Sequence, residues 1–170
     1  METRFDLFDS PTASKLLKRF YATSQVMGKA SLPKSLRDLV SLRISQINGC
    51  GWCVDIHTKE AAAAGETPVR LNLVAGWRHA TVFTEAEQAA LALAEEGTRI
   101  TGSGETASDA TWAAAREHFD DDQLGTLICL IAMMNATNRI SLINATNRLS
   151  VIANYKGGSY EPGMFASITS

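Results

Sequence analysis

Residues 36–57 read LRDLVSLRISQINGCGWCVDIH and contain the two features that decide the fold. The first is helical periodicity, because apolar side chains recur every three or four residues as one stripe, at Leu36, Leu39, Val40, Ile44 and Ile47. Such a stripe is typical of a helix that packs one face against a core. The second is Asn48-Gly49, a dipeptide that breaks helices. The stretch predicts one helix that ends at Gly49 and another that begins at about Cys50.

Helix start and stop signals recur along the rest of the chain. The starts combine a capping residue or a proline with a following apolar stripe, and they lie at Ser10-Pro11, Pro33, Thr67-Pro68, Thr84, Ser108 and Asp120. Gly28 and Gly65 are stops, and residues 102–104 form the clearest loop. The helix that starts at Thr67 is expected to reach about Gly76. No segment alternates like a strand, so the predicted fold class is all-α: a compact helical bundle with an extended last helix.

Composition limits the function classes. The 170 residues are 45% apolar with a net charge of −2, which suits a single domain spanning 1–170. The charges are dispersed without a basic stripe, so no nucleic-acid partner is expected. The richest apolar run, Leu124 to Ile131, is shorter than the ~18 residues of a membrane span. The N-terminus lacks the features of a signal peptide, and we expect a cytoplasmic protein with no membrane association.

A short repeat lies in the expected last helix. Residues 135–139 read NATNR, and residues 144–148 repeat these letters nine positions later. At about 100° per residue, nine residues place the two copies half a turn apart. In one continuous helix the copies must therefore face opposite sides, and they cannot perform the same packing task.

The cysteines carry the chemical signal. Cys129 lies in an apolar run and is expected to be a small buried side chain. Cys50 and Cys53 lie within disulfide reach at a helix start, where free N–H groups and the positive helix end stabilise a thiolate. His57 lies one turn after Cys53 on the same face, so it can accept a thiol proton or pair with the thiolate.

Three interpretations of the cysteine pair compete. A metal site would use the pair and His57, with Asp38 or Asp55 as a fourth ligand, but no second Cys/His pair exists and we predict no metal. A structural role would bury both thiols without chemistry. A redox pair accounts for both the helix start and the histidine. The residues alone do not decide which sulfur attacks, because the helix end favours Cys50 whereas the histidine favours Cys53.

Residues 39–50, LVSLRISQINGC, and residues 53–58, CVDIHT, resemble the alkylhydroperoxidase AhpD-like core of the carboxymuconolactone decarboxylase superfamily. The resemblance is most specific over about residues 33–65, the redox core, and extends loosely to Tyr160. It implies an all-helical subunit that assembles into homo-trimers or homo-hexamers. It also implies reduction of organic hydroperoxides by the cysteine pair. No bound cofactor is expected; the reductant would be an external dithiol, either a thiol protein or a lipoyl-type donor.

The resemblance also implies roles for individual residues. Cys53 is the peroxide-attacking thiol, and Cys50 is the resolving thiol. Asp38 stands where the family carries a proton-relay glutamate, so it is expected to orient His57, which draws the proton from Cys53. Trp52 is expected to line the approach of the substrate. The alternatives are a lactone decarboxylase, which does not require the cysteine pair, and a non-enzymatic thiol sensor.

Overall fold

The structure is a computed structural model that describes residues 5–100, 107–144 and 160–162. These residues form helices and no strand, which confirms the all-α prediction. The α-helices are α1 Pro11–Gly28, α2 Lys34–Asn48, α3 Gly51–Ala63, α4 Pro68–Leu73, α5 Glu85–Thr98, α6 Asp109–His118 and α7 Asp121–Asn144. Two 3₁₀ turns are Leu7–Asp9 and Val74–His79. The predicted loop at 102–104 lies outside the described residues, as does the repeat beyond residue 144.

The capping residues predicted from the sequence begin and end the helices. Thr84 and Glu87 form the reciprocal capping box at the start of α5, and the Ser108 hydroxyl accepts from the Thr111 N–H at the start of α6. Gly49 follows α2 with φ 69°, and Gly65 follows α3 with φ 97°. Both angles lie in the left-handed region that glycine adopts without strain, so the two stop signals are confirmed.

The helix predicted from Thr67 to about Gly76 is shorter than expected. α4 ends at Leu73, and the chain continues as the 3₁₀ turn Val74–His79. Gly76 has non-helical angles (φ −114°, ψ 25°), because glycine holds a helical conformation weakly. The tighter turn buries Trp77 against the core.

The core is arranged around α2, which packs against α3, α5 and α7. Most of its predicted stripe is buried, with Leu39, Val40 and Ile44 fully inside and Ile47 half-buried near the helix end. One apolar cluster lies between α2, α5, α6 and α7, and a second joins α2 to α3, α4, α5 and the 3₁₀ turn Val74–His79. α2 thus holds the turn from which the cysteine pair follows.

A cluster of amides fixes the C-terminal end of α2 to α7. The Asn48 side chain donates to Asn135 Oδ1 and to Asn138 Oδ1, each at 3.0 Å. Asn135 in turn donates to Thr98 Oγ1 at 3.2 Å. Asn135 and Asn138 are both buried, and both belong to the first copy of the repeat. This copy therefore faces the core and contacts Asn48, which lies two residues before Cys50 in the chain.

A buried carboxylate ties α5 to the rest of the bundle. The Glu95 side chain is 4% exposed and forms ion pairs with three arginines, Arg43 at 2.5 Å, Arg78 at 2.8 Å and Arg99 at 3.0 Å. Trp77 Nε1 also donates to it at 3.0 Å. Burial opposes ionisation, but the hydrogen bonds from Arg43 and Trp77 and the neighbouring positive charges outweigh it and lower the pKa of Glu95.

α7 has one face in the core and one outside. Leu127, Leu130 and Ile131 are buried, whereas Ile128 is 43% exposed and Cys129 is exposed. The prediction that Cys129 is buried is wrong for the single chain, because the residue lies on the outer face of the helix. By length and composition alone, Asp121–Ile143 would also pass as a membrane span. It packs against α1, α2 and α5, and 33% of its most apolar stretch is buried.

Candidate active site

The cysteine pair lies at the start of α3, as the sequence predicts. Cys50 is the N-cap residue, and its sulfur accepts the Cys53 backbone N–H at 3.4 Å. Cys50 and Cys53 are joined in a disulfide, with their Cα atoms 5.3 Å apart. The left-handed Gly49 turns the chain sharply out of α2, so that the next residue starts α3. The pair is therefore placed by the junction of two helices rather than by a flexible loop.

The disulfide is covered by aromatic side chains. Cys50 is 2% exposed and Cys53 is 6% exposed, and both lie in a cluster with Trp52, Ile56 and Tyr160. The Trp52 and Tyr160 rings meet edge to face with centroids 5.8 Å apart. Trp52 thus packs beside the sulfurs, and its expected role in lining the substrate approach stays a prediction. The covering role of Tyr160 was not predicted, since the residue lies about a hundred positions from the pair.

Three side chains of α3 hold Tyr160 in place. Lys59 Nζ donates to the Tyr160 carbonyl at 2.8 Å, and the Tyr160 N–H donates to Asp55 Oδ2 at 3.3 Å. The Tyr160 hydroxyl donates to Glu60 Oε1. Asp55 and Lys59 also form an ion pair at 3.0 Å. The helix that carries the cysteines therefore also binds the segment that covers them.

His57 is half-buried one turn after Cys53. Desolvation lowers the pKa of His57 to about 4; the nearby charge of Lys34 acts in the same direction, and that of Glu60 partly opposes it. The imidazole is therefore neutral at physiological pH. A neutral ring can accept a proton, which is the property that the predicted role requires.

Asp38, the predicted relay carboxylate, is engaged elsewhere on its own helix. Its Oδ2 lies 2.5 Å from Lys34 Nζ, one turn back along α2. Burial raises the pKa of Asp38, and the hydrogen bond and charge of Lys34 oppose that rise. Within the described ranges, no hydrogen bond joins Asp38 to His57. The predicted orientation of His57 by Asp38 thus has no direct contact behind it in this structure.

The structure therefore brings four of the five predicted site residues onto one helix. Cys50, Trp52, Cys53 and His57 belong to α3 or its cap, and Asp38 is contributed by α2. Over the part of the chain that the structure describes, no group of three or more histidine, cysteine, aspartate or glutamate side chains is arranged to hold a metal ion. The arrangement can perform thiol chemistry with a proton acceptor adjacent.

Known proteins with similar sequences carry the same core. A model of the carboxymuconolactone decarboxylase family matches residues 14–96. The uncharacterized protein YdfG of Bacillus subtilis is 35% identical over 113 residues, which are 66% of this chain and 76% of that protein. The alkyl hydroperoxide reductase AhpD of Methylocella silvestris is 48% identical over 42 residues, which are 25% of this chain and 24% of that protein.

A solved structure extends the similarity over most of the fold. It is a protein of unknown function from Agrobacterium tumefaciens, described as a candidate antioxidant defence protein AhpD. It matches with a TM-score of 0.77 and 31% identity, over 84% of this chain and 95% of that chain. The chain belongs to the carboxymuconolactone decarboxylase family. Within that family it is an AhpD-like member.

Proposed function

We propose that the protein is a thiol-dependent peroxidase that reduces organic hydroperoxides with its Cys50–Cys53 pair. The observation that carries the proposal is the disulfide at the N-terminus of α3, with a histidine of lowered pKa one turn away. A dithiol that closes into a disulfide gives two electrons to a substrate, and an external dithiol can restore them. The AhpD name of a relative supports peroxide as the oxidant.

The proposed reaction uses both sulfurs in turn. His57 takes the proton of the reduced Cys53, and the resulting thiolate attacks the outer oxygen of the hydroperoxide. The O–O bond breaks, Cys53 becomes a sulfenic acid, and the departing alkoxide takes the proton back from His57 and leaves as an alcohol. The Cys50 sulfur then displaces hydroxide from the sulfenic acid, and the proton of the Cys50 thiol converts that hydroxide into water as the disulfide forms. An external dithiol, a thiol protein or a lipoyl-type donor, restores both thiols by exchange.

The position of Cys50 suits the resolving role. Its sulfur accepts a backbone N–H at the positive end of α3, where a thiolate is stabilised. During re-reduction the same interaction favours Cys50 as the leaving thiolate. Among the described residues, no backbone N–H donates to the Cys53 sulfur, which shares a face with His57. The division of labour implied by the family resemblance is thus supported by the separate surroundings of the two sulfurs.

The test counts thiols and peroxide in the reduced protein. All variants carry Cys129→Ser, because Cys129 is exposed and would react by itself. One equivalent of cumene hydroperoxide should remove both thiols of the Cys129→Ser protein and none from a Cys53→Ser variant. Cys50→Ser should consume the peroxide but stop at a sulfenic acid that dimedone traps. Equal peroxide consumption by the Cys53→Ser variant, or none by the parent, would overturn the proposal.

A second candidate follows from the name of the matching family. A lactone decarboxylase would not require the cysteine pair. It would decarboxylate a carboxymuconolactone equally well after both cysteines are changed to serine. Oxidation of the thiols without turnover by any dithiol would instead indicate a redox sensor.

We also propose that the chain forms homo-trimers or homo-hexamers, which the family resemblance implies. The outer face of α7 is apolar where Ile128 is 43% exposed and Ile143 is 75% exposed. Cys129 and Ala132 beside Ile128 are exposed as well, and exposed apolar patches on a helix commonly mark an interface. Light scattering after size exclusion should give three or six chains, and Ile128→Glu should lower that number. A monomer at micromolar concentration would contradict the proposal.

A further inference from the structure

Glu60 lies on the same face of α3 as the two residues to which the proposed proton transfer is assigned. Cys53, His57 and Glu60 are spaced i, i+4 and i+7 along α3. At about 100° per residue, Glu60 lies within roughly 20° of Cys53 around the helix axis and 60° from His57. Residues at this spacing form one stripe, and side chains three apart on a helix are neighbours. The stripe places a carboxylate on the far side of the histidine from the sulfur.

The charges that act on His57 come from α2 and α3. Lys34 and Asp38 lie on α2 and pair with each other at 2.5 Å, and the charge of Lys34 favours the neutral form of His57. Glu60 is on α3, and its negative charge favours the protonated form of His57. Asp55 and Lys59 are also on α3 but project about 160° away from His57, where they pair with each other and bind the backbone of residue 160.

The hydroxyl of Tyr160 gives Glu60 a fixed position. It donates to Glu60 Oε1, while its ring packs against Trp52 beside the disulfide. The ring is 1% exposed, so this hydrogen bond forms where water competes little. The phenol thus fixes the Glu60 carboxylate three residues after His57 on the same helix, where neighbouring side chains interact.

We propose that Glu60 is the positioning residue that stabilises the protonated form of His57, with Tyr160 as its anchor, in place of the expected Asp38. This inference rests on the proposed function for its catalytic meaning. When His57 takes the proton of Cys53, an imidazolium and a thiolate form side by side. The Glu60 carboxylate stabilises that imidazolium and so favours the reactive pair, whereas the Asp38 carboxylate pairs with Lys34.

The test measures the ionisation of Cys53 rather than turnover. A parent carrying Cys50→Ser and Cys129→Ser keeps Cys53 as its single thiol, and its alkylation by iodoacetamide is followed from about pH 5 to about pH 10. Glu60→Gln should raise the pKa of the Cys53 thiol by about one pH unit and slow alkylation at pH 7 up to tenfold. Glu60→Asp should restore part of the rate. Tyr160→Phe keeps the ring and should shift the midpoint in the same direction by less.

Two comparisons decide between the carboxylates. Asp38→Asn should change the alkylation rate by less than twofold, and Glu117→Gln, an exposed acid on α6, should change nothing. A large effect of Asp38→Asn with no effect of Glu60→Gln would overturn the inference and assign the role to Asp38. Circular dichroism of each variant identifies any that fail to fold. If Glu60→Gln shifts the thiol while the parent chain with both cysteines consumes no peroxide, the peroxidase proposal fails and the assignment of Glu60 stands.

Discussion

The desolvation of His57 makes the stability of the oxidised protein depend on pH. His57 has a pKa of about 4 in the folded chain, against 6.5 for an unperturbed side chain. The unfolded chain therefore binds one more proton than the folded chain between these values. A group whose folded pKa is lowered contributes stability that is fully present above 6.5 and is lost as the pH falls toward 4. Replacing His57 by Gln removes the titration and keeps a similar side-chain volume.

The magnitude follows from the two pKa values. Integrating the proton-binding difference from about pH 7 to about pH 4.5 gives a loss of about 2.4 kcal/mol in the free energy of unfolding of the wild type. In the same interval His57→Gln should lose none of this contribution. Burial raises the pKa of Asp38, so its contribution runs the opposite way, present at low pH and lost as the pH rises. Asp38 is common to both proteins and cancels in the difference.

Urea unfolding, followed by circular dichroism at about pH 7, 6, 5 and 4.5, measures the effect without any substrate. The free energy of unfolding of the wild type, minus that of His57→Gln, should be constant above pH 6.5 and should decrease steadily as the pH falls below that value. A difference that stays constant within about 0.5 kcal/mol would refute the assignment of a desolvated, neutral His57. It would also remove the proton acceptor from the proposed reaction.

Three further perturbations test the scaffold that holds the site. Glu95→Gln should destabilise the chain by about 3–5 kcal/mol, because three guanidinium groups lose their shared counter-charge; a melting temperature within a degree of wild type would contradict this. Asn48→Ala should lower the free energy of unfolding by about 2–4 kcal/mol by leaving two buried amide oxygens without a donor, whereas Lys29→Ala on the surface should not. The repeat can be extended to two nine-residue units, NATNRISLI at 135–143 and NATNRLSVI at 144–152. Removing residues 136–144 leaves Asn135 followed by residue 145, so that one complete unit remains. The shortened chain should still fold and form its disulfide. Failure to recover folded protein would show that the two units are not interchangeable.

Local signals were sufficient for most of the fold. Caps such as Thr84, glycines with positive φ such as Gly49, and the stripe on α2 each act within a few residues, and the structure agrees with them. The helix from Thr67 was overestimated because a 3₁₀ turn has almost the same periodicity as an α-helix. Cys129 was misjudged because an apolar run does not show which side of its helix meets the core.

In the candidate site, too, the sequence predicted the features that depend on local spacing and missed those that depend on distant contacts. Cys50, Cys53 and His57 are close in sequence, and their spacing on one helix was enough to bring them together. Tyr160 and the ion pair that occupies Asp38 depend on contacts between distant residues or on competition between partners. Glu60 had a usable signal, because its i+7 spacing from Cys53 places it on the reactive face of α3, but that spacing is not distinctive without the tyrosine.

The sulfur of Cys50 caps the N-terminus of α3 by accepting a backbone N–H. In most helices a hydroxyl, amide or carboxylate oxygen accepts this hydrogen bond. Serine at this position would cap the helix at least as well as cysteine. Loss of the thiol would therefore leave the architecture intact while ending the two-electron chemistry. Relatives that keep the bundle but carry Ser, Asp or Asn at this position are expected to be stable proteins whose function does not use a dithiol.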